Sequence, residues 1–217
     1  MNNKNLPIVI RILKKEFSKY RVPIVTEVSW RKDPFHVLTS CILSLRTKDQ
    51  TTAEAFKRLR KIAKNPKQLM NLSVKQIEKA IYPVGFYKTK AKRLKEIGKV
   101  LVEKYKGKVP DEIDELLKLK GVGRKTANLT VGLGYNKPAI CVDVHVHRIS
   151  NRLGYVNTKN PEQTEFALRK KLPKRYWIIY NDLLVTWGQN VCVPISPFCS
   201  KCPIKRYCKR VGIKKSR

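Results

Sequence analysis

Residues 192–208 read CVPISPFCSKCPIKRYC, a C-x6-C-x2-C-x5-C spacing that gathers Cys192, Cys199, Cys202 and Cys208 into one short stretch. So short a loop cannot fold around an apolar core of its own, and metal ligation is the natural source of its order. Zinc usually draws on paired C-x2–4-C knuckles. Here only Cys199 and Cys202 form a tight pair, with longer arms to Cys192 and Cys208. That pattern suits a larger cuboidal cluster held by four cysteines. Two disulfides or four unrelated thiols are the plain alternative, and disulfides belong to an oxidising compartment.

The composition around this loop narrows the class. The 217 residues suffice for one large domain or two small ones, and a hydrophobic content of 42% allows a true core. No apolar run is long enough for a membrane span, and no charged-then-apolar leader opens the chain. The expectation is an intracellular protein of the cytoplasm or nucleoid, where thiols stay reduced. Lys+Arg number 48 against 16 Asp+Glu, a formal charge of +32. Such an excess opposes compaction by self-repulsion unless a polyanion is bound, so nucleic acid is the expected partner. A lysine-rich hyperthermophile surface would carry abundant Glu as well, and Glu is scarce here.

The periodicity is helical along the whole chain. Val9, Leu13 and Phe17 share one face of a helix over 7–19. Asp33-Pro34 reads as an N-cap with proline at the first helical position, opening a helix with Val37, Leu38, Cys41, Ile42 and Leu45 inward. Ala55, Leu59 and Ile62 stripe the next. Ser73 with Gln76 forms a capping box before Ile77 and Ile81, and Leu94, Ile97, Leu101 and Tyr105 line a further helix. A short helix follows Pro110 and ends at Leu119. Asn160-Pro161 with Gln163 is a second capping-box start, leading to Phe166, Leu168 and Leu172. The last long helix covers 174–190, with Trp177, Leu184 and Trp187 for the core. No alternating strand stands out, since the run Ile140, Val142, Val144, Val146 is short, and the fold class is all-α.

Two central segments carry chemistry. In 119–128, LKGVGRKTAN, Gly121 and Gly123 allow a tight turn with positive φ and close approach of another backbone. The turn empties into a helix N-terminus, which attracts anions, and with this net charge the anion is a DNA phosphate. The nucleotide P-loop pattern is missing. A turn joining two core helices is the bland reading. Lys125 lies in the first turn of that helix, where the dipole and Arg124 disfavour an ammonium. An amine so placed can form a Schiff base, or serve as one more phosphate contact. In 142–148, VDVHVHR, Asp143 is a good N-cap whose carboxylate could also stabilise a cationic sugar or position a water. With no third ligand near, His145 and His147 read as DNA-contacting or capping groups rather than metal ligands.

Taken together, hairpin, aspartate and C-x6-C-x2-C-x5-C in this order resemble the endonuclease III-like DNA glycosylase/AP lyases, iron–sulfur members of the helix-hairpin-helix glycosylase superfamily. The resemblance runs from about residue 27 to 210. It implies a two-lobed all-α fold: a six-helix barrel over 27–137 containing the helix-hairpin-helix, and a discontinuous cluster lobe from 1–26 and 138–217. It implies a monomer that acts on double-stranded DNA bearing a damaged base or an abasic site. A [4Fe-4S] cluster would sit on Cys192, Cys199, Cys202 and Cys208. Lys125 falls on the family's Schiff-base lysine and Asp143 on its essential aspartate. Gly121, Val122, Gly123, Arg124 and His145 fall on DNA-binding positions. Arg46 and Phe86 match the residues that fill the space left by an extruded base; core packing for Phe86 and a phosphate contact for Arg46 are the bland readings. The implied activity is removal of oxidised pyrimidines, followed by β-elimination at the abasic site.

The chain departs from the family pattern at Arg46, where glutamine is usual, at Lys120, where proline is usual, and at Val144, where threonine is common. None of these removes a catalytic group. Adenine-mismatch relatives carry a glutamate near the position of Cys41 and lack the lysine, whereas this chain has Cys41 and Lys125. A uracil- or thymine-mismatch glycosylase of the same fold, a non-catalytic iron–sulfur DNA-binding protein and a ferredoxin-like carrier are the remaining alternatives.

Overall fold

The computed structural model describes residues 1–20, 22–30 and 32–217, and among these there is no β-strand. The chain divides into two compact units, one from Ile24–Ala139 and one from Met1–Pro23 with Ile140–Arg217.

The continuous unit holds α2 (Ile24–Ser29), α3 (Pro34–Ser44), α4 (Asp49–Ile62), α5 (Pro66–Asn71), α6 (Val74–Ile81), α7 (Tyr87–Tyr105), α8 (Ile113–Leu117) and α9 (Arg124–Leu129). Local chemistry sets their starts. Asp33 accepts from the backbone N–H groups of Phe35 and His36, ahead of Pro34 at the first helical position. Ser73 and Gln76 close a reciprocal capping box, a device worth about 1 kcal/mol. α3 is buried nearly all round, from Phe35 to Leu43, and is the central helix of this unit. Leu38 within it and Leu94, Ile97, Leu101 and Leu116 elsewhere in the unit are among the fully buried side chains. α9 widens into a π-helical turn over Thr130–Gly134, with Thr130, Val131 and Gly132 buried.

The discontinuous unit holds α1 (Leu6–Phe17), α10 (Val144–Arg152), α11 (Pro161–Lys171) and α12 (Trp177–Asn190), with 3-10 turns at Lys174–Tyr176 and Lys205–Tyr207. Its core joins Leu6, Val9, Ile10 and Leu13 to Val146, Ile149, Leu168, Tyr180, Leu184 and Trp187. α1 thus belongs with the C-terminal half despite its place at the start of the chain.

Several sequence expectations need correcting. The second capping box is displaced: Asn160 accepts from the N–H of Gln163, but Gln163 reaches the N–H of Lys159 rather than that of the cap. Ile62 and Phe166, read as inward, are 42% and 45% exposed. The short helix after Pro110 ends at Leu117, and 174–176 form a 3-10 turn ahead of α12. Among the described residues no helix is long and apolar enough to cross a membrane.

Candidate active site and DNA interface

The hairpin occupies the turn between α8 and α9. Leu119 and Val122 are buried beneath it, and the N–H of Val122 is bonded to the carbonyl of Leu119 at 2.9 Å. The Val122 side chain is therefore an anchor. What the turn presents outward is Lys120, Gly121 and Gly123, all exposed. The two glycines have different reasons to be there. Gly121 adopts φ +90°, and a Cβ on it would lie 3.3 Å from the Arg93 side chain. Gly123 is the N-cap of α9 with φ −98° and ψ 175°, and a Cβ there would meet nothing within 4 Å. Only the first needs left-handed backbone, contrary to the expectation for both. At the second, glycine leaves the backbone uncovered.

Lys125 sits in the first turn of α9, half-buried. The Cys41 thiol of α3 lies within electrostatic reach of its cation. Burial pushes that thiol up to about 12, against a smaller pull from Lys125. Cys41 is thus a neutral, buried wall near the lysine. Asn128, one turn on, is buried and donates to the carbonyl of Arg124 at 3.0 Å.

Asp143 is the N-cap of α10. Its Oδ1 accepts from the N–H of His145 at 2.8 Å and of Val146 at 2.9 Å. A carboxylate fixed by two backbone donors has one orientation, and its negative charge suits a helix N-terminus. The two histidines that follow are occupied within this unit. His145 Nδ1 meets the Arg148 guanidinium at 3.1 Å, and His147 Nδ1 meets Thr164 Oγ1 at 2.7 Å. Burial lowers the pKa of His147. His147 is a member of a polar network with Asn151, Thr158 and Thr164.

In the other candidate interface, Arg46 and Phe86 are both exposed, and the Arg46 guanidinium lies over the Phe86 ring at 5.6 Å. Phe86 is 62% exposed, so it is not core. Both residues have left-handed backbone, at φ 53° and 58°.

Cys192, Cys199, Cys202 and Cys208 line one cavity together with Ile149, Leu153, Trp187, Val191, Phe198 and Ile204. All four are free thiols. Among the described residues no three His, Cys, Asp or Glu side chains already stand as a set that could hold one ion. The donor set itself fits a thiophilic group: soft sulfur ligands in an apolar-walled cavity, beside cations that can offset thiolate charge. Arg152 donates to Cys192 Sγ at 3.3 Å and to the carbonyls of Val193 and Pro194 at 2.7 and 2.6 Å. Arg148 donates to the carbonyls of Gly188 and Cys192 at 3.1 and 3.0 Å. The backbone N–H of Arg210 points at Cys208 Sγ at 3.4 Å. Burial, reinforced by the neighbouring thiols of Cys192, Cys208 and Cys199, raises the Cys202 thiol to about 11, a cost that bound metal reverses by displacing the proton.

Comparison with known proteins accords with these features. The family model described as "HhH-GPD superfamily base excision DNA repair protein" matches residues 39–174. Endonuclease III of Thermotoga maritima is 48% identical over 177 residues, covering 82% of this chain and 83% of the relative. Endonuclease III of Bacillus subtilis is 36% identical over 178 residues, covering 82% and 81%. A solved structure of a trapped endonuclease III–DNA covalent intermediate superposes with a TM-score of 0.84 at 31% identity, over 97% of each chain. With a spacing, a hairpin and a fold that all agree, the chain belongs to the HhH-GPD superfamily of base excision DNA repair proteins, in its endonuclease III family.

Proposed function

We propose that the protein is a monomeric bifunctional glycosylase that removes oxidised pyrimidines from duplex DNA and then cuts the strand at the resulting abasic site. The observation that carries this reading is the half-buried Lys125, set in the first turn of α9 behind the outward-facing Gly121 and Gly123. The hairpin backbone holds a phosphate, which fixes the register of the strand. The extruded nucleotide offers its C1′ to the Lys125 amine. As the new C–N bond forms, the glycosidic bond breaks and its electron pair leaves with the base, which takes up a proton. Asp143 stabilises the positive charge that develops on the sugar and accepts or relays the lysine's proton. The sugar ring opens to a protonated Schiff base, which acidifies C2′. Loss of that proton expels the 3′ phosphate by β-elimination.

In this reading Arg46 and Phe86 fill the space the base vacates, Arg124 binds phosphate, and His145 supports the segment through Arg148. The four cysteines would hold a [4Fe-4S] cluster, which this chemistry does not need as a redox reagent. It would give order to a loop whose Lys201, Lys205, Arg206, Lys209 and Arg210 present positive charge to the phosphates. The continuous unit thus carries the lysine, and the discontinuous one carries the aspartate and the cluster. A protein of this kind works wherever the cell keeps its DNA, the cytoplasm or nucleoid.

A panel of duplexes tests the substrate claim. Those bearing an oxidised pyrimidine should release the base and be cut, and a preformed abasic site should be cut as well. Release of uracil or mismatched thymine in preference, without strand scission, would reassign the protein to mismatch repair. Binding without release or scission on any duplex would leave only a DNA-binding protein.

A further inference from the structure

α7 carries a lysine on its apolar stripe. Lys90 falls in register with Leu94, Ile97 and Leu101 and is only 7% exposed. Its ammonium donates to the carbonyl of Leu43 at 2.8 Å, the carbonyl of Leu45 at 2.5 Å and Thr47 Oγ1 at 3.2 Å. An ammonium has three protons, and all three acceptors belong to the segment that leaves α3 and presents Arg46. Burial draws Lys90 down to about 8, so at neutral pH the group keeps its full set of donors.

The same segment is tied a second time. The N–H of Gly85 donates to Thr47 Oγ1 at 3.2 Å, and a Cβ on Gly85 would stand 2.5 Å from the carbonyl oxygen of Arg46. Backbone contact this close locks the 43–47 and 82–87 segments together. At their outer edge the pair ends in Arg46 and Phe86, both left-handed and stacked on each other. Non-glycine residues adopt that conformation rarely and persist in it only where their surroundings over-determine them. The Lys90 ammonium and the Gly85 contact are those surroundings.

We propose that Lys90 is a positioning residue for base extrusion: its ammonium holds Arg46 and Phe86 as one preformed wedge. This rests on the reading of those two residues as the groups that enter the DNA. A wedge set before DNA arrives does not have to be ordered during extrusion, which is where preorganisation acts. Duplexes that already lack a base need the wedge less than duplexes whose damaged base must be expelled.

The test compares Lys90→Met, Thr47→Val, Arg46→Ala and Phe86→Ala with the wild type. Each is assayed in single turnover on a duplex with an oxidised pyrimidine and on one with a preformed abasic site. Fluorescence of 2-aminopurine opposite the lesion reports unstacking, and a melting curve accompanies each variant. The expected result is that Lys90→Met slows base excision about tenfold or more and suppresses the fluorescence change. Cleavage of the abasic duplex should change by less than about threefold. Lys90→Met/Arg46→Ala should be no slower than the slower single variant, and Thr47→Val should show the same pattern more weakly. Equal loss on both duplexes in Lys90→Met and Thr47→Val would assign the lysine to folding alone and overturn the proposal. An effect of Arg46→Ala or Phe86→Ala with none from Lys90→Met would overturn the proposal but leave the wedge standing. No effect from any of the four would overturn the wedge and the proposal together.

Discussion

The helical unit Ile24–Ala139 and the C-terminal cysteine loop reach order by opposite means. The first encloses its own core. α3 is buried nearly all round, the starts of α3, α5 and α6 are capped by side chains of the same unit, and the buried Lys90 is satisfied by two carbonyls and a hydroxyl of that unit. From Val191 to the C-terminus, by contrast, the only helical element is the 3-10 turn Lys205–Tyr207. Much of what holds this stretch comes from Arg148 and Arg152 of α10, from the apolar side chains behind the four cysteines, and from a thiol set suited to metal. Chemistry that depends on a fixed backbone can be placed on the first region without any cofactor. The second region is braced largely from α10.

The sharpest way to break this comparison is to remove one thiol. Cys199→Ser should abolish the brown absorbance of the cluster and lower the melting temperature of the discontinuous unit, because binding free energy at such sites is folding free energy. Hydrogen exchange in α3 and α7 should be unchanged. An unaltered spectrum and melting curve would remove Cys199 from the ligand set.

Asp143 offers a finer cut, since cap and chemistry share one side chain. Asparagine can still accept the two backbone bonds, so Asp143→Asn should stay within about 0.5 kcal/mol of wild type. Base excision should nevertheless fall roughly a hundredfold or more. Asp143→Ala should lose about 1 kcal/mol in addition, and the loss should reach the cysteine loop, because α10 carries both arginines that brace it. If Asp143→Asn keeps full activity, the carboxylate is a cap only.

Two glycines of the helical unit give the last contrast, one of stability rather than chemistry. Gly85→Ala drives a Cβ into the Arg46 carbonyl and should destabilise the unit by about 1–3 kcal/mol. Gly123→Ala meets open space and should leave stability within about 0.5 kcal/mol, while weakening DNA binding several-fold by covering the hairpin backbone. Equal stability losses at the two positions would show that both are packing glycines.

These contrasts also mark what the sequence discloses. Caps such as Asp33-Pro34 and Ser73 with Gln76 are legible because they act over three or four residues, and the apolar stripes repeat at the helical period. The cysteine spacing is legible for the same reason of locality. Contacts across the chain are not. Arg148 and Arg152 stand in a chain full of basic residues, and nothing local distinguishes these two, which brace carbonyls some forty residues away, from those left for DNA. Gly121 and Gly123 look alike in the sequence, yet only one has a positive φ. Lys90 did leave a sign, its register with Leu94, Ile97 and Leu101. A lysine on an apolar stripe must find acceptors or leave it, and which acceptors it finds is a tertiary matter.

The central claim is that the Lys125 amine becomes joined to deoxyribose. Borohydride reduction during turnover on an abasic duplex, followed by proteolysis and mass mapping, tests it directly. The account predicts a sugar remnant on the peptide containing Lys125, and no adduct from Lys125→Gln, which should still bind the duplex. A remnant on a different amine, or trapping that survives Lys125→Gln, would contradict it.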